Sequence, residues 1–514
     1  MTAFPVGLQV IAAGLRAVAE EMGAVLVRSA FSANIKERRD CSTALFDAEG
    51  RMVTQAEHIP VHLGAMPEAV AAVRARDPEP GEPWILNDPY SGGTHLPDLT
   101  IVTRTALGFA VTRAHHADVG GAEPGSLPAW SRTLADEGVV IPPTRLDDDA
   151  LEALLARMRN PDERRGDLRA QLAAHHLAER RIEELCARRG RERVAAAMDE
   201  LLAYSERVVR AAIRELPDGT FDGEDALEAP DGPGVRLHGS DPATSLLALH
   251  ARVTIAGDEI EIDFAGTAPQ HEGNLNCPLA VTRSACFYVV RCLTAPDLPA
   301  SGGAFVPVTV RAPQSCLVNA APPAAVAAGN TETSSRIVDV VFRAFAQALP
   351  VPAQGQGTMN NVVLGNDRFT YYETIAGGQG ACPDADGPSA VHVAMSNTLS
   401  TPIEALELAY PLRVERYELR LGSGGAGRFR GGDGVVRELR ALEACRLSLL
   451  TQRRELVPRG EGGGADGQRG RTLLNGEELP AFATVDLGPG DVLRIETPGG
   501  GGWGASQDGG GESR

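Results

Sequence analysis

The sequence has 514 residues, of which 43% are hydrophobic and 23% charged, as is ordinary for a folded globular protein of two or three domains. Its formal net charge of −19 argues against nucleic acid as a partner, because binding to phosphates requires a concentrated face of Lys and Arg. Lys36 is the only lysine, and it lies in neither a Walker-type loop nor a Schiff-base context, so neither chemistry is expected.

The eight cysteines are scattered, without a CxxC pair and without a preceding secretory signal, so we expect reduced thiols and a cytoplasmic protein. No apolar run approaches the roughly 20 residues needed to cross a bilayer, so no membrane contact is expected. The 57 glycines and 35 prolines, with only 4% aromatic residues, predict many turns and short strands.

The first 145 residues alternate between helix and strand patterns. Residues 6–30 place apolar side chains at helical spacing and predict one core-facing helix. Residues 41–46 and 51–54 flank a turn and predict a hairpin. A short helix is predicted over 66–75, and strands are predicted over 84–86, 99–105 and 109–114.

Residues 147–214 are dense in Leu, Ala, Arg and Glu at helical spacing. They predict two or three long helices, with breaks near Asn160-Pro161 and Arg189-Gly190. From residue 216 the pattern returns to strands, with a hairpin of 246–255 and 259–264, followed by helices over 279–293 and 333–348. Strands and glycine turns are predicted from there to the end.

These patterns predict an α+β, multi-domain protein with mixed or antiparallel sheets, a helical segment and a β-rich C-terminal region. The predicted divisions are an N-terminal α+β region with a metal site at 1–145, the helical segment at 146–215, a central α+β region at 216–400, the β-rich region at 401–505 and a disordered tail at 506–514.

The densest functional signal is the segment from Asn87 to Asp98, where His95 and Asp98 lie three residues apart in a loop that opens onto a strand. The next strand ends at His115 and His116. If the two strands form an antiparallel hairpin, their outer ends bring His95, Asp98 and one of the later histidines into one pocket. Two imidazoles and a carboxylate are a standard set of ligands for a divalent metal. Adjacent strand residues point to opposite faces, so only one of His115 and His116 should be a ligand.

Asp40 is a candidate fourth ligand, with an ion pair to a neighbouring arginine as the alternative. His58 and His62 lie four residues apart, but Pro60 between them argues against a helix, so we interpret both as pocket-lining or structural. Further candidates for catalysis or for alternative ligation are His116 and Asp118. The candidates for the substrate pocket are Asn87, Asp88, His62, Asn330, Glu332 and Asn360.

Several polar and glycine-rich segments have competing interpretations. Residues 329–334 are typical of a capped helix start, and capping alone would explain their composition. The amide-rich segments 356–361 and 377–380 would serve a ligand or loop packing equally well. Residues 422–427 satisfy G-x-G-x-x-G, but no helix start follows, so we expect turns there and at 462–467 and 499–504.

Taken in order, the motifs resemble those of the hydantoinase B/oxoprolinase family over nearly the whole chain. The segments that carry the resemblance are 37–42, 87–98, 115–121, 329–334, 357–361, 372–378, 410–415, 424–427 and 499–503.

The resemblance implies a two-component enzyme in which a hydantoinase A-type component uses ATP with Mg²⁺ to phosphorylate the amide or enol oxygen of the substrate. The B-type component would hold a divalent metal at positions corresponding to Asp40, His95, Asp98 and His115, with zinc the expected ion and manganese or iron the alternatives. The choice between His115 and His116 stays open, because strand lengths between the motifs vary. A heterotetramer of two A-type and two B-type chains is expected.

The implied chemistry is physically reasonable. A lactam is a poor electrophile with a poor leaving group, phosphorylation supplies a better leaving group, and metal-bound water supplies a nucleophile. We expect hydantoin, 5-oxoproline or a lactam as the substrate. The alternatives are a subunit of an acetone or acetophenone carboxylase, whose subunits tend to be longer, and a non-enzymatic scaffold whose metal staples the fold.

Overall fold

The computed structural model describes residues 6–56, 59–230 and 244–506. His58 and the predicted tail after residue 506 lie outside these ranges. The helices are α1 (Val6–Ser29), α2 (Ala33–Lys36), α3 (Met66–Arg74), α4 (Leu134–Glu137), α5 (Asp148–Leu155), α6 (Pro161–Arg189), α7 (Arg191–Ile213), α8 (Leu279–Thr294), α9 (Ser334–Phe345) and α10 (Ile403–Ala409).

The strands of the N-terminal half are β1 (Cys41–Asp47), β2 (Met52–Ala56), β3 (Pro83–Leu86), β4 (Asp98–Arg104), β5 (Gly108–His115), β6 (Thr144–Arg145), β7 (Gly219–Pro230), β8 (Thr244–Ala256) and β9 (Glu259–Asp263). Those of the C-terminal half are β10 (Val308–Arg311), β11 (Asn361–Gly365), β12 (Thr370–Glu373), β13 (Leu412–Arg420), β14 (Gly434–Ala441), β15 (Cys445–Leu450), β16 (Arg471–Leu474), β17 (Glu477–Leu479), β18 (Phe482–Leu487) and β19 (Val492–Glu496). Within the described ranges the strands form four separate sheets, so the predicted α+β class is confirmed.

The first sheet has the strand order β2-β1-β5-β4-β3-β6 and is covered on both faces. Side chains alternate along β1: Leu45 packs toward α1 and α6, whereas Ala44 and Phe46 pack toward α3. Burial on both faces explains why β1 and β5 are buried along their whole length. The predicted hairpins of this region are confirmed by the antiparallel pairing of β1 with β2 and of β4 with β5.

The predicted helix breaks are also confirmed. Asn160, just before α6, adopts the left-handed conformation with φ 52°, and Gly190 separates α6 from α7 with φ 85°. Both helices contribute to the core that holds α1, so the helical segment shares its hydrophobic core with the first sheet.

The three remaining sheets follow along the chain. β7–β10 form a mixed sheet of order β10-β9-β8-β7, on which α9 packs with α8 beside it, and the predicted hairpin of β8 and β9 is confirmed. A sheet of order β12-β11-β15-β18 combines two strands that precede residue 400 in the chain with two that follow it. The last sheet has the order β13-β14-β19-β16-β17.

The predicted capped start of the helix near residue 333 is wrong. Residues 329–333 form one wide π-helical turn that runs directly into α9, and no side chain caps the start of that helix. The Thr333 hydroxyl donates instead to the Leu275 carbonyl, at 2.5 Å. The polar residues of this turn are therefore available for roles other than capping.

The turns expected in 422–427 and 462–467 are present at Gly422 and at Gly462-Gly463, whereas residues 499–502 form no turn and pack among other main chains. Residues 499–502 run through the middle of a bundle formed with 353–354, 378–381, 424–432 and 459–465, joined by backbone hydrogen bonds such as Gly500 N to Gly432 O at 2.9 Å. A Cβ on Gly500 would lie 2.0 Å from the Gln379 carbonyl oxygen, and one on Gly378 would lie 2.0 Å from the Gly432 oxygen. Glycine is required at these positions because the neighbouring main chains leave no room for a Cβ atom.

No helix among the described residues is both long enough and apolar enough to span a membrane.

We predict that Gly500→Ala destabilises the protein strongly, because its Cβ would meet backbone that cannot rotate away. Overpacking of this kind costs about 1–3 kcal/mol or more. Chemical denaturation of the purified protein measures the loss. Gly488→Ala is the matched control, since its Cβ would meet only Asp491 Oδ2, at 3.7 Å. Equal stability of the two variants would contradict the close backbone packing.

Candidate metal centre

The site begins at the outer end of the β4–β5 hairpin. Asp98, the first residue of β4, lies directly opposite His115, the last residue of β5. His95 precedes β4 in a turn closed by the hydrogen bond from Asp98 N to His95 O, at 3.1 Å. On the other side of β5, His115 N donates to the Asp40 carbonyl at 3.0 Å, which places the start of β1 at the same end of the sheet.

Three ligand-type atoms converge within this site. His95 Nε2 lies 3.1 Å from His115 Nδ1 and 3.2 Å from Asp98 Oδ1, and His115 Nδ1 lies 3.3 Å from the same oxygen. All three side chains are buried, and together they form a group that could hold a metal ion.

The spacing of these atoms fits a metal ion. Ligand atoms at bonds of about 2.1 Å lie about 3.0–3.4 Å apart along the edge of an octahedron or tetrahedron around a cation. The observed triangle therefore matches one face of such a polyhedron. The opposite ring nitrogens, His95 Nδ1 and His115 Nε2, are buried without hydrogen-bond partners in the described structure.

The three side chains line a cavity of about 20 Å³, room for about one water molecule. Asp40 lines the same cavity, although it does not belong to the group of three. His62 also lines it: its Nδ1 lies 2.9 Å from Ser42 Oγ, and its Nε2 lies 3.6 Å from Asp98 Oδ2. The structure therefore places His62 in the cavity wall.

The neighbouring groups favour an ionised Asp98. Burial raises the pKa of its carboxyl, but the charge of His95 and the hydrogen bonds from His115, His62 and His95 outweigh burial and bring the pKa well below its usual range. Burial lowers the pKa of His115, against the smaller opposing effect of Asp98, which favours a neutral ring. An anionic carboxylate and a neutral imidazole are the forms that bind metal.

Residues distant in sequence form the opposite wall. The ring of Tyr372, on β12, stacks on His115 with centroids 4.6 Å apart. The Tyr372 hydroxyl donates to Asn361 Oδ1 at 2.9 Å, and the buried Arg38 guanidinium donates to the Tyr372 carbonyl at 2.7 Å. Tyr372 thus holds the His115 ring in place. Sequence reasoning missed this role, because neither spacing nor periodicity links residue 372 to residue 115.

His116 and Asp118 point away from the cavity. His116 Nε2 lies 2.9 Å from Gln171 Oε1, on the α6 side of the sheet, and burial lowers its pKa to about 4. Asp118 is fully buried in a loop, where it accepts hydrogen bonds from Gly120 N and Gly125 N, both at 2.7 Å. Of the two adjacent histidines, the structure brings only His115 to Asp98.

Three of the candidate pocket residues also lie outside the cavity lining. Asn87 donates to the carbonyls of Leu96 and Val139 and accepts from Ile141 N, so its amide is fully used by the loops. Asp88 caps a short 3-10 turn by accepting from Tyr90 N. Asn360 donates to Gln356 Oε1 and accepts from Arg454.

The remaining two belong to the π-helical turn. Asn330 lines the cavity. Glu332 lies behind the lining, where its Oε1 accepts from Met359 N at 3.1 Å and from Asn361 Nδ2 at 2.7 Å, while its Oε2 has no partner in the described structure.

Comparison with known proteins identifies a family whose sequences resemble this chain. A family profile described as Hydantoinase B/oxoprolinase matches residues 4–506. Over 97% of its length the chain is 36% identical to an uncharacterized protein of Methanocaldococcus jannaschii, of which it covers 90%. Over 95% of its length it is 37% identical to 5-oxoprolinase 1 of Arabidopsis thaliana, but it spans only 41% of that protein. The B-type component of a putative D-/L-hydantoinase from a Pseudomonas species is 30% identical, with 97% of this chain and 90% of the relative covered.

Two solved structures share the fold of this chain. The ATP-dependent caprolactamase of Pseudomonas jessenii matches with a TM-score of 0.89 and 28% identity, over 98% of this chain and 92% of that one. An acetone carboxylase chain matches with a TM-score of 0.87, over 97% of this chain and 76% of that one, but at 17% identity this likeness shows the fold alone.

We predict that His95→Gln and His115→Gln each abolish tight binding of a divalent metal, because each removes one corner of the ligand triangle. His116→Gln is the matched control, since its ring faces Gln171. Elemental analysis of the desalted proteins after incubation with Zn²⁺ measures this: we expect at least a tenfold fall in bound metal for the first two variants and little change for the third. Equal metal content in all three would contradict the site.

We predict that the free energy of unfolding depends on pH through the carboxyl group of Glu332. Burial raises the pKa of its carboxyl to about 7, against the smaller lowering effects of the Met359 hydrogen bond and of the nearby Arg454 and Arg336 guanidinium groups. The folded state therefore binds the proton more tightly than the unfolded chain, whose ordinary pKa is about 4.3. It follows that the free energy of unfolding falls between pH 5 and pH 8, by up to roughly 3 kcal/mol.

Glu332→Gln cannot ionise, so its stability relative to the unaltered protein should improve by about 1–3 kcal/mol between pH 5 and pH 8. Urea unfolding at several pH values measures this difference. A difference that does not change with pH would contradict the raised pKa.

Proposed function

The chain belongs to the hydantoinase B/oxoprolinase family, and we propose that it carries the hydrolytic site of an ATP-dependent enzyme for cyclic amides. ATP, with Mg²⁺, would be used by an A-type partner, which activates the amide oxygen by phosphorylation. The single observation that carries this proposal is the buried triangle of His95, Asp98 and His115 in the wall of one cavity.

The residues of the cavity have distinct roles in this proposal. His95, Asp98 and His115 would hold a divalent cation, with Asp40 as a fourth ligand from the start of β1. A divalent cation bound there would supply Lewis acidity and would lower the pKa of a water molecule toward neutrality. His62 Nε2, 3.6 Å from Asp98 Oδ2, would hold the uncoordinated carboxylate oxygen together with the Thr94 hydroxyl.

The apolar part of the lining would exclude bulk water from the activated amide. Ile59, Val61, Met359 and Met395 contribute this surface. Because an activated amide is hydrolysed wherever water reaches it, a closed cavity with one oriented water protects it from unproductive loss.

Two comparisons support a separate ATP-using partner. The Pseudomonas relative is described as one component of a hydantoinase, of type B. The oxoprolinases of Arabidopsis thaliana and Dictyostelium discoideum match this chain over only 41% and 40% of their length, which leaves most of each protein for other steps. A heterotetramer of two A-type and two B-type chains is our proposal for the assembly.

The caprolactamase match at 28% identity favours cyclic amide hydrolysis. The acetone carboxylase match does not favour the carboxylase alternative, since it extends to the fold alone. We propose a cyclic amide of the hydantoin, 5-oxoproline or lactam type as the substrate.

We predict that the chain, mixed with its A-type partner, hydrolyses ATP in step with opening of a cyclic amide. Asp98→Asn should lower amide opening at least 100-fold, because a neutral carboxamide is a poor metal ligand and cannot balance the positive charge at the site. Coupled measurement of ADP and of the ring-opened acid follows both steps.

The matched control is Asp88→Asn, which makes the same chemical change in the neighbouring loop and preserves a capping side chain. It should retain most of the activity. ATP-dependent opening by the Asp98→Asn protein at the normal rate would refute the proposed site.

A further inference from the structure

The π-helical turn at residues 329–333 presents two polar side chains to the cavity. Asn330 and Thr331 both line it, and they are 4% and 1% exposed. Asn330 Oδ1 and Thr331 Oγ1 are buried without a hydrogen-bond partner among the described residues. Buried polar atoms are nearly always paired, so two unpaired atoms in one cavity wall point to a ligand that pairs them.

The turn is held rigidly in this position. Gly329 N donates to the Asn274 carbonyl at 3.0 Å, and the Thr333 hydroxyl donates to the Leu275 carbonyl at 2.5 Å. A Cβ on Gly329 would lie 1.7 Å from the Asn276 carbonyl oxygen, so the turn is pressed against that loop. The Asn330 side chain is therefore presented from a fixed backbone, as a binding group should be.

A carboxamide has a defined complement. It offers an accepting oxygen and a donating NH₂ on the same edge. A small ring forces its amide into the cis form, which places the ring N–H and the C=O on one edge as well. Open-chain secondary amides are trans and carry these groups on opposite edges. Two parallel hydrogen bonds can thus form between Asn330 and a cyclic amide, but not between Asn330 and an open-chain secondary amide.

The cavity has a volume of about 20 Å³ in this structure, room for about one water molecule, so a ring can reach Asn330 only if the lining moves apart.

We propose that Asn330 recognises the free substrate, before its oxygen is phosphorylated, by a paired hydrogen bond to its cis-amide edge, with the ring N–H donating to Oδ1 and Nδ2 donating to the carbonyl. Thr331 provides a further hydroxyl for a second polar group of the ring. This inference rests on the proposed function and names the chemical feature that its substrates share: an unsubstituted cis N–H beside the carbonyl.

The test measures binding to the purified full chain, supplied with Zn²⁺ and without ATP or partner, by ligand-observed NMR titration. The probes are 2-pyrrolidinone, ε-caprolactam, hydantoin and 5-oxoproline, together with N-methyl-2-pyrrolidinone, N-methylcaprolactam and the open-chain N-methylacetamide. We expect at least one cyclic amide to bind about tenfold or more tightly than its N-methylated or open-chain counterpart, because substitution leaves a buried acceptor unpaired.

Asn330→Ala should reduce the preference for the cyclic amide with a free N–H to about twofold or less, because the side chain that accepts a hydrogen bond from the N–H is gone. N-methylation also adds bulk, but a steric penalty alone would persist in this variant. Asn330→Asp replaces the donating NH₂ with a second acceptor and should lose the preferred cyclic amide about tenfold or more. Asn397→Asp is the matched control, because it adds the same charge at an exposed position of the wall segment 395–398.

The proposal is overturned if no cyclic amide binds, if the preference for the free N–H is absent from the unaltered protein, or if Asn330→Ala keeps that preference. Thermal melting of each variant shows whether it is folded. The hydrolytic proposal is judged separately, by ATP-dependent ring opening with the partner, so the two can fail independently.

Discussion

The antiparallel register of β4 and β5 is the constraint on which the site depends. Asp98 faces His115 across this pair, and β1, on the other side of β5, brings Asp40 to the same end of the sheet. A slip of one residue would turn His115 to the opposite face and present His116 instead. Burial of both faces of the sheet fixes this register, because each face packs on its own set of helices.

The second half of the chain supplies further walls of the cavity that lies at the end of the β4–β5 hairpin. The β12 strand carries Tyr372 against the His115 ring, and the π-helical turn carries Asn330 into the same cavity. Arg38 links the two halves: its guanidinium is buried and must be paired, and it finds acceptors at the Tyr372 carbonyl and the Thr374 hydroxyl, both at 2.7 Å. The contact that gives this buried cation two of its acceptors therefore also joins the two walls of the cavity.

The polar residues near the site differ in whether the fold supplies hydrogen-bond partners for their side chains, and this difference distinguishes structural residues from those that could bind a ligand. Asn87 and Asn360 carry the same side chain as Asn330, but their amides are used by neighbouring backbone and side chains. Asn330 Oδ1 has no such partner among the described residues. Residue type alone could not distinguish these three asparagines, since the difference lies in which groups the fold places around each.

Sequence alone determined the elements and the core of the site. Helical periodicity identified α1, α6 and α7, and two strands with a turn between them identified the β4–β5 hairpin. The pairing of these strands then predicted that His95, Asp98 and His115 would lie close together. Local patterns suffice for these predictions because periodicity and strand geometry depend on neighbouring residues. Tertiary structure decided the rest. It brought His115 rather than His116 to Asp98, brought Tyr372 to the His115 ring, and packed the glycine segments into a bundle of touching backbones. The Tyr372 contact and the glycine bundle join segments far apart in the sequence, and the position of His115 depends on the register of β4 and β5, and no local pattern encodes either.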